Sequence, residues 1–258
     1  MEEEIIDAVS FNNVKEVKEI LMKNPDLDVN WRDEYGDAVL QVACQGGHDA
    51  IVSILLAHPG IDVNQKDDEG CTSFMSACLL GHTCVRELLK DSRVEVNETS
   101  KNGCTPLWRT AVDGHVDVIK WWIASGREVD LGKPGDWNTD AIGGAKKNGK
   151  TEVVTLLERF KSDAARTRHA TRVELGCLDE LAAEMFALVV YVSDGLLQIN
   201  DTTPSPAARY FTITSQLPLE LQMVLCYRQV DSAKEIIPGK DSEVAFKELA
   251  KRFWWSPV

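Results

Sequence analysis

The sequence predicts an all-α protein. Residues 1–166 read as a solenoid of about five two-helix units with β-hairpin-like loops. Residues 167–258 read as a small helical domain packing on or near the end of that array. Three observations carry this. Gly47, Gly81 and Gly114 fall 34 and 33 residues apart, each closing a run of small residues such as Ala43-Cys44 or Ala77-Cys78. Asp28-Val29-Asn30, Asp62-Val63-Asn64, Glu95-Val96-Asn97 and Glu128-Val129-Asp130 keep the same beat, at separations of 34, 33 and 33. After each glycine, apolar residues recur at helical spacing, as in Ile51, Val52, Ile54, Leu55 and Leu56, or Val118, Ile119, Trp122 and Ile123. Two independent markers with one period define a repeat array.

Each unit is expected to begin with a helix rich in small residues that stops at the glycine, which suits the left-handed residue that commonly ends a helix. A second, more apolar helix follows. An extended, turn-rich segment such as VNQKDDEGCT or VNETSKNGCT then leads into the next unit. One such unit cannot cover its own apolar face, so stability requires stacked neighbours. Thr105-Pro106-Leu107, the Gly-His pairs and the Asp-Val-Asn segments resemble the ankyrin repeat, whose pattern is D-x-x-G-x-T-P-L-H-x-A-x-x-x-G-H with V-N before the next unit. The resemblance places units at 1–32, 33–66, 67–99, 100–132 and 133–166. Ala38-Val39 and Thr72-Ser73 stand where Thr-Pro is usual, and Gln41, Met75 and Trp108 replace the usual His. The first and fifth units depart most, as terminal repeats do.

The fifth unit contains GAKKNGKT, in which Gly144, Gly149, Lys150 and Thr151 satisfy the phosphate-loop pattern G-x-x-x-x-G-K-[ST]. That chemistry needs a strand feeding the loop, and GKPGDWNTDAI upstream is polar and turn-like. Gly149 lies 35 residues after Gly114, so Gly149-Lys150 occupies the Gly-His register instead. P-loop-type nucleotide binding at 144–151 is the least favoured of the functions considered.

The histidines His48, His82 and His115 recur with the period. Helices stack about 8–10 Å apart, too far for imidazoles to share one zinc at about 2.1 Å, so each is expected to cap and hydrogen-bond within its own unit. The same spacing argues against a disulfide between Cys71 and Cys104, which are expected to be loop residues available to a partner. Cys44 and Cys78 sit where alanine is usual and should be buried packers. Seven cysteines with no C-x-x-C pair suggest reduced thiols. Ser53, Ser73 and Ser76 lack a G-x-S-x-G setting. No catalytic residue, cofactor or metal site is expected.

At 44% hydrophobic and 27% charged, the chain is expected to be soluble and monomeric. Its most apolar stretch, MFALVVYV, is shorter than the roughly 18 residues of a membrane span and reads as a buried helix, so no membrane association is expected. The acidic start MEEEIIDAVS does not look like a leader, which suggests a cytoplasmic protein, with the nucleus as the other compartment open to it. Residues 161–258 carry 11 Lys+Arg and 13 Asp+Glu, a net −2, which leaves −11 of the total −13 on residues 1–160. Nucleic acid is therefore not an expected partner.

The resemblance implies a non-enzymatic interaction scaffold that binds a protein through its concave face. Its contact positions lie around D-x-x-G-x and just before Gly-His. In this chain these are Arg32, Glu34, Tyr35, Asp37 and Gln45 in the second unit, and Lys66, Asp68, Glu69, Leu79 and Leu80 in the third. Thr99, Lys101, Asn102, Val112 and Asp113 follow in the fourth, then Trp137, Lys147 and Asn148 in the fifth. Tyr35 and Trp137, with Trp31 and Trp108 nearby, are residue types that anchor interfaces. Leu79-Leu80 adds an apolar pair, of which one could pack internally. Surrounding acids favour a partner segment that is basic around an apolar centre.

From Arg159, RFKSDAARTRHATRVELG reads as a charged continuation of the last array helix. LDELAAEMFALVVYVSDGLL reads as a further helix, DTTPSPAARYF as a proline-bearing turn into another, and LPLELQMVLCYRQV as a helix begun by Pro218. DSEVAFKELAKRFWW should be capped by Asp241, with Phe246, Leu249, Ala250 and Phe253 along one face. Leu217-Pro218-Leu219-Glu220-Leu221 resembles the opening of an F-box, which implies, as the alternative function, a substrate adaptor of a ubiquitin ligase acting through residues 217–255. AKEIIPGKDSE departs from the expected run of helices.

Overall fold

The structure, a computed structural model, describes residues 2–33, 35–132, 139–197, 206–230, 237 and 239–254. It divides into two compact units, Met1–Thr171 and Arg172–Val258. Among the described residues the regular secondary structure is helix, with no strand apart from isolated antiparallel bridges Arg32↔Ala38 and Lys66↔Thr72 at the bases of two loops.

Five helix pairs build the first unit: α1 (Glu2–Ser10) with α2 (Val14–Lys23), α3 (Val39–Gln45) with α4 (Asp49–Leu56), and α5 (Ser73–Leu80) with α6 (Val85–Lys90). Then come α7 (Pro106–Asp113) with α8 (Val116–Ser125) and α9 (Ala141–Lys147) with α10 (Thr151–Ser162). First helices stack in the order α1, α3, α5, α7, α9, and second helices in the order α2, α4, α6, α8, α10. The small residues explain the first layer: Ala8, Ala43, Ala77, Ala111 and Ala145 are all buried at successive interfaces, where a larger side chain would hold the helices apart. Larger apolar residues such as Leu55, Leu88, Trp122 and Leu157 fill the second layer. Phe74 meets Trp122 edge to face, with ring centroids 5.0 Å apart.

Local chemistry sets the helix starts. Thr72 Oγ1 accepts the Met75 N–H, Thr105 Oγ1 accepts the Trp108 N–H ahead of Pro106, and Asp140 Oδ1 accepts the Gly143 N–H. Ala38 offers no such cap, and there Gln41 carries the polar connection instead. Its buried amide donates to Asp67 Oδ2 (2.6 Å) and Ser76 Oγ (3.3 Å) of the next unit.

The Asp-Val-Asn marker also has a structural role. Asn30 donates to Gly60 O and accepts from Asp62 N, both at 2.7 Å. Asn64 donates to Arg93 O and accepts from Glu95 N, both at 2.8 Å. Each asparagine thus joins its unit to the following one.

The histidines behave differently from the expectation of contacts within their own unit. His82 Nε2 hydrogen-bonds Gln45 O of the preceding unit (2.9 Å), and His115 Nε2 bonds Leu79 O (2.8 Å). Both imidazoles lie over the preceding left-handed glycine: a Cβ on Gly47 would come within 2.7 Å of His82, and one on Gly81 within 2.4 Å of His115. His48 has no such glycine before it, because the equivalent position is Asn12, left-handed at φ 54° and carrying a side chain. It folds against Gly46 of its own unit instead.

Asp163 breaks the chain's helical course after α10. Its Oδ1 accepts the Arg166 N–H, so α11 (Ala164–Glu174) is a separate helix rather than a continuation of α10. Thr167 and Thr171 of α11 are buried, and Arg168 donates to Ile123 O.

The second unit contains α12 (Leu178–Ser193), α13 (Pro206–Thr214), α14 (Leu219–Gln229) and α15 (Gly239–Trp254), with α12 packing on the other three. Phe186 and Tyr191 both meet Phe246 edge to face, and Tyr191 Oη donates to Phe246 O. Pro218 occupies the N-cap of α14. Asp241 is not a cap, because α15 already begins at Gly239; it stands in the first turn, where its charge favours the positive helix end. The side chains of Leu249, Ala250 and Phe253 lie outside the described residues.

Candidate functional site

Successive loops of the array turn on one plan. Asp33 Oδ1 accepts the N–H groups of Tyr35 and Asp37, and Asp67 Oδ1 accepts those of Glu69 and Cys71. These aspartates hold the loop tips so that intervening side chains project from a fixed backbone. A groove of about 520 Å³ runs over three consecutive loops and the ends of their first helices.

Eight of the eighteen sequence-predicted contact residues line this groove. Tyr35, Asp37 and Gln45 come from the second unit; Asp68, Glu69, Leu79 and Leu80 from the third; Asn102 from the fourth. Tyr35 is 74% exposed and Leu80 46%, while Leu79 is half-buried, so the leucine pair divides between packing and solvent. Asp68 accepts from Arg32 (2.8 Å), and Gln45 donates to Asp37 (3.1 Å).

The remaining predicted positions fall elsewhere or are engaged in the fold. Arg32 also donates to Gly36 O, Lys66 pairs with Glu98, and Lys101 Nζ donates to Asp68 O. Val112 packs close to Gly144, Asp113 pairs with Arg109 at 3.2 Å, and Asn148 donates to Gly144 O. Thr99 and Lys147 are exposed away from the groove. Trp31 and Trp108 are half-buried, and Trp108 Nε1 donates to Thr139. Glu34 and Trp137 lie outside the described residues.

The groove also contains residues outside the eighteen contact positions, among them Cys71 and Cys104, the loop cysteines expected to be available to a partner. Cys71, Met75 and Cys104 bring sulfur to its floor, Asp67 adds a carboxylate, and Arg109 is its one lining cation among the described residues. Asp67 was legible as the aspartate of D-x-x-G. Met75 is concealed by its own burial, at a position that resembles the usual histidine only in register.

The electrostatics are one-sided. Burial raises the Asp37 carboxyl, and neighbouring Asp33 and Asp67 raise it further, against the lowering effect of Gln45 and Arg32. Burial, with Asp67 and Glu69 close by, pushes the Cys71 thiol up to about 11, so it is neutral at physiological pH. Cys44 and Cys78 are fully buried and their thiols are pushed upward by desolvation.

GAKKNGKT is the end of α9, a turn and the start of α10. Its N–H groups are spent internally: Asn148 on Gly144 O, Gly149 on Lys146 O, Lys150 on Ala145 O and Thr151 on Gly149 O. A phosphate cradle needs those donors pointing outward. The Lys150 side chain lies over Gly114, as His115 lies over Gly81, since a Cβ on Gly114 would meet Lys150 Cδ at 2.7 Å.

Stacked helix pairs with projecting loops and an acidic, partly apolar groove define a repeat protein of the interaction type. Residues 5–99 and 62–132 match the family model for ankyrin repeats (3 copies), and this stretch of the chain is an ankyrin-repeat array. A search of curated proteins finds no significant match. Ankyrin arrays generally serve protein–protein interaction and are generally not enzymes. No helix among the described residues is long and apolar enough to cross a membrane.

Proposed function

We propose that the chain is a protein-binding scaffold whose partner occupies the groove between the loop tips and first helices of the second, third and fourth units. The observation that carries this is Tyr35 and Leu80, exposed at 74% and 46% over a surface whose other projecting groups are mostly charged. The fold does not need either side chain there, and a tyrosine beside an aliphatic residue is a typical interface anchor. Photocrosslinking from position 35 in the full-length chain tests it. Adducts that disappear in Leu80→Asp, with melting unchanged, support the groove. Adducts indifferent to that change place the partner elsewhere.

Leu219 and Leu221 favour a second reading, an adaptor that recruits a ubiquitin ligase through residues 217–255. They stand 52% and 50% exposed at the start of α14, where an apolar pair in solvent calls for a partner. A pull-down with Leu219→Asp/Leu221→Asp separates the two readings: loss of ligase subunits from this variant alone supports the adaptor, and their absence from the parent chain rules it out. The proposed compartment is cytoplasmic, and the proposed state monomeric.

A further inference from the structure

We infer that the groove selects a peptide segment presenting an aromatic side chain flanked by arginine or lysine, with the ring seated on the sulfur-bearing floor and the cations on the acidic rim. This rests on the groove reading above. Cys71, Met75 and Cys104 line the groove together with Leu79, which brings three sulfur atoms to one surface. The Met75 thioether near a ring edge gives a preference for aromatic over aliphatic occupants that a leucine-lined floor lacks. The neutrality of the Cys71 thiol keeps that floor apolar despite its acidic neighbours.

Among the described residues the groove is lined by four carboxylates, Asp37, Asp67, Asp68 and Glu69, and by the single cation Arg109. Arg109 pairs with Asp113, and Arg32 pairs with Asp68 and donates to Gly36 O. Asp37 takes the Gln45 amide; Asp67 takes the Gln41 amide and two backbone N–H groups. Asp37, Asp67 and Glu69 form no ion pair among the described residues. Burial raises the Asp37 carboxyl, and the neighbouring Asp33 and Asp67 charges raise it further. An arriving arginine offsets that repulsion, and its guanidinium can also stack on Tyr35 at the lip.

The test is selection of random peptides displayed on phage against the full-length chain, followed by fluorescence anisotropy with the best peptide made synthetically. Leu80→Asp and Glu69→Lys chains, each shown to melt with the parent, are run alongside. The expected peptides carry Phe, Tyr or Trp next to Arg or Lys. Their affinity should fall about threefold to tenfold with Glu69→Lys and about twofold to tenfold with Cys71→Ser/Cys104→Ser. Peptides that depend on Leu80 and Glu69 but carry an acidic or purely aliphatic anchor would overturn the aromatic-basic assignment while leaving the groove in place. Peptides indifferent to both positions, or no enriched peptide at all, would remove the groove reading and this inference together.

Discussion

Gly81→Ala and Gly149→Ala are the same chemical change at two equivalent turns, and the structure predicts different costs. Both glycines are left-handed, at φ 74° and 67°. An alanine there costs roughly 1–2 kcal/mol in backbone strain. At Gly149 nothing among the described residues stands within 4 Å of the added methyl, so strain is the expected effect. At Gly81 the methyl lands 2.4 Å from His115 Nδ1, with Cε1 and Cγ at 2.7 and 2.8 Å. The imidazole must leave, and the 2.8 Å bond to Leu79 O goes with it. That bond adds about 0.5–1.5 kcal/mol, for a total of about 1.5–3.5 kcal/mol. The difference of about 1 kcal/mol corresponds to a further fall in melting temperature of about 2–4 °C for an array of this size. Urea unfolding followed by circular dichroism measures both variants, and the comparison is repeated in a His115→Ala background. There the Gly81 penalty should shrink to that of Gly149. Equal penalties at the two sites, or a Gly81 penalty indifferent to His115, would refute the idea that the histidine is seated on the preceding glycine.

Gln41→Ala should destabilise the array by about 1–3 kcal/mol, because a buried amide bonded to Asp67 and Ser76 is lost; an unchanged urea midpoint would deny it that role. Asn64→Ala should speed hydrogen exchange of the Glu95 amide, whose acceptor it removes, more than that of the Asp62 amide, which Asn30 still holds. Asp37 has a folded-state pKa above its unfolded value, so the folded protein holds that proton more tightly, and its contribution turns unfavourable as pH rises through that window. Asp37→Asn should therefore raise the melting temperature at neutral pH and lose that advantage below the ordinary carboxylate range; a gain that persists in acid would contradict the sign. ATP and GTP should show no saturable binding, and saturable binding abolished by Lys150→Ala would restore the phosphate loop.

Much of the array was legible because its constraints repeat. The interval between Gly47, Gly81 and Gly114 placed Gly149-Lys150 in register, and the same register makes Asn12-Asn13 the first unit's turn, with Asn13 capping α2. What escaped were contacts between units and exceptions to periodicity. A sequence shows His115 beside Gly114; it does not show that the ring reaches Leu79 and covers Gly81. Asp163 carried a readable cap signal, but the unbroken run of charged, helix-favouring residues around it concealed the break. In the candidate site, Tyr35 and the Leu79-Leu80 pair stood out by type, whereas the sulfur floor depends on which side chains converge from separate loops.

The reach of His82, His115 and the Lys150 stem back over the preceding unit's glycine makes the array directional from the second unit onward, like courses of roof shingles in which a row is held down by the row laid after it. Among the described residues nothing lies within 4 Å over Gly149, so the covering series stops there. Lifting should start at that uncovered margin and run toward the N-terminus, giving amide protection a slope along the chain. A sixth course carrying its own histidine would clip the margin shut.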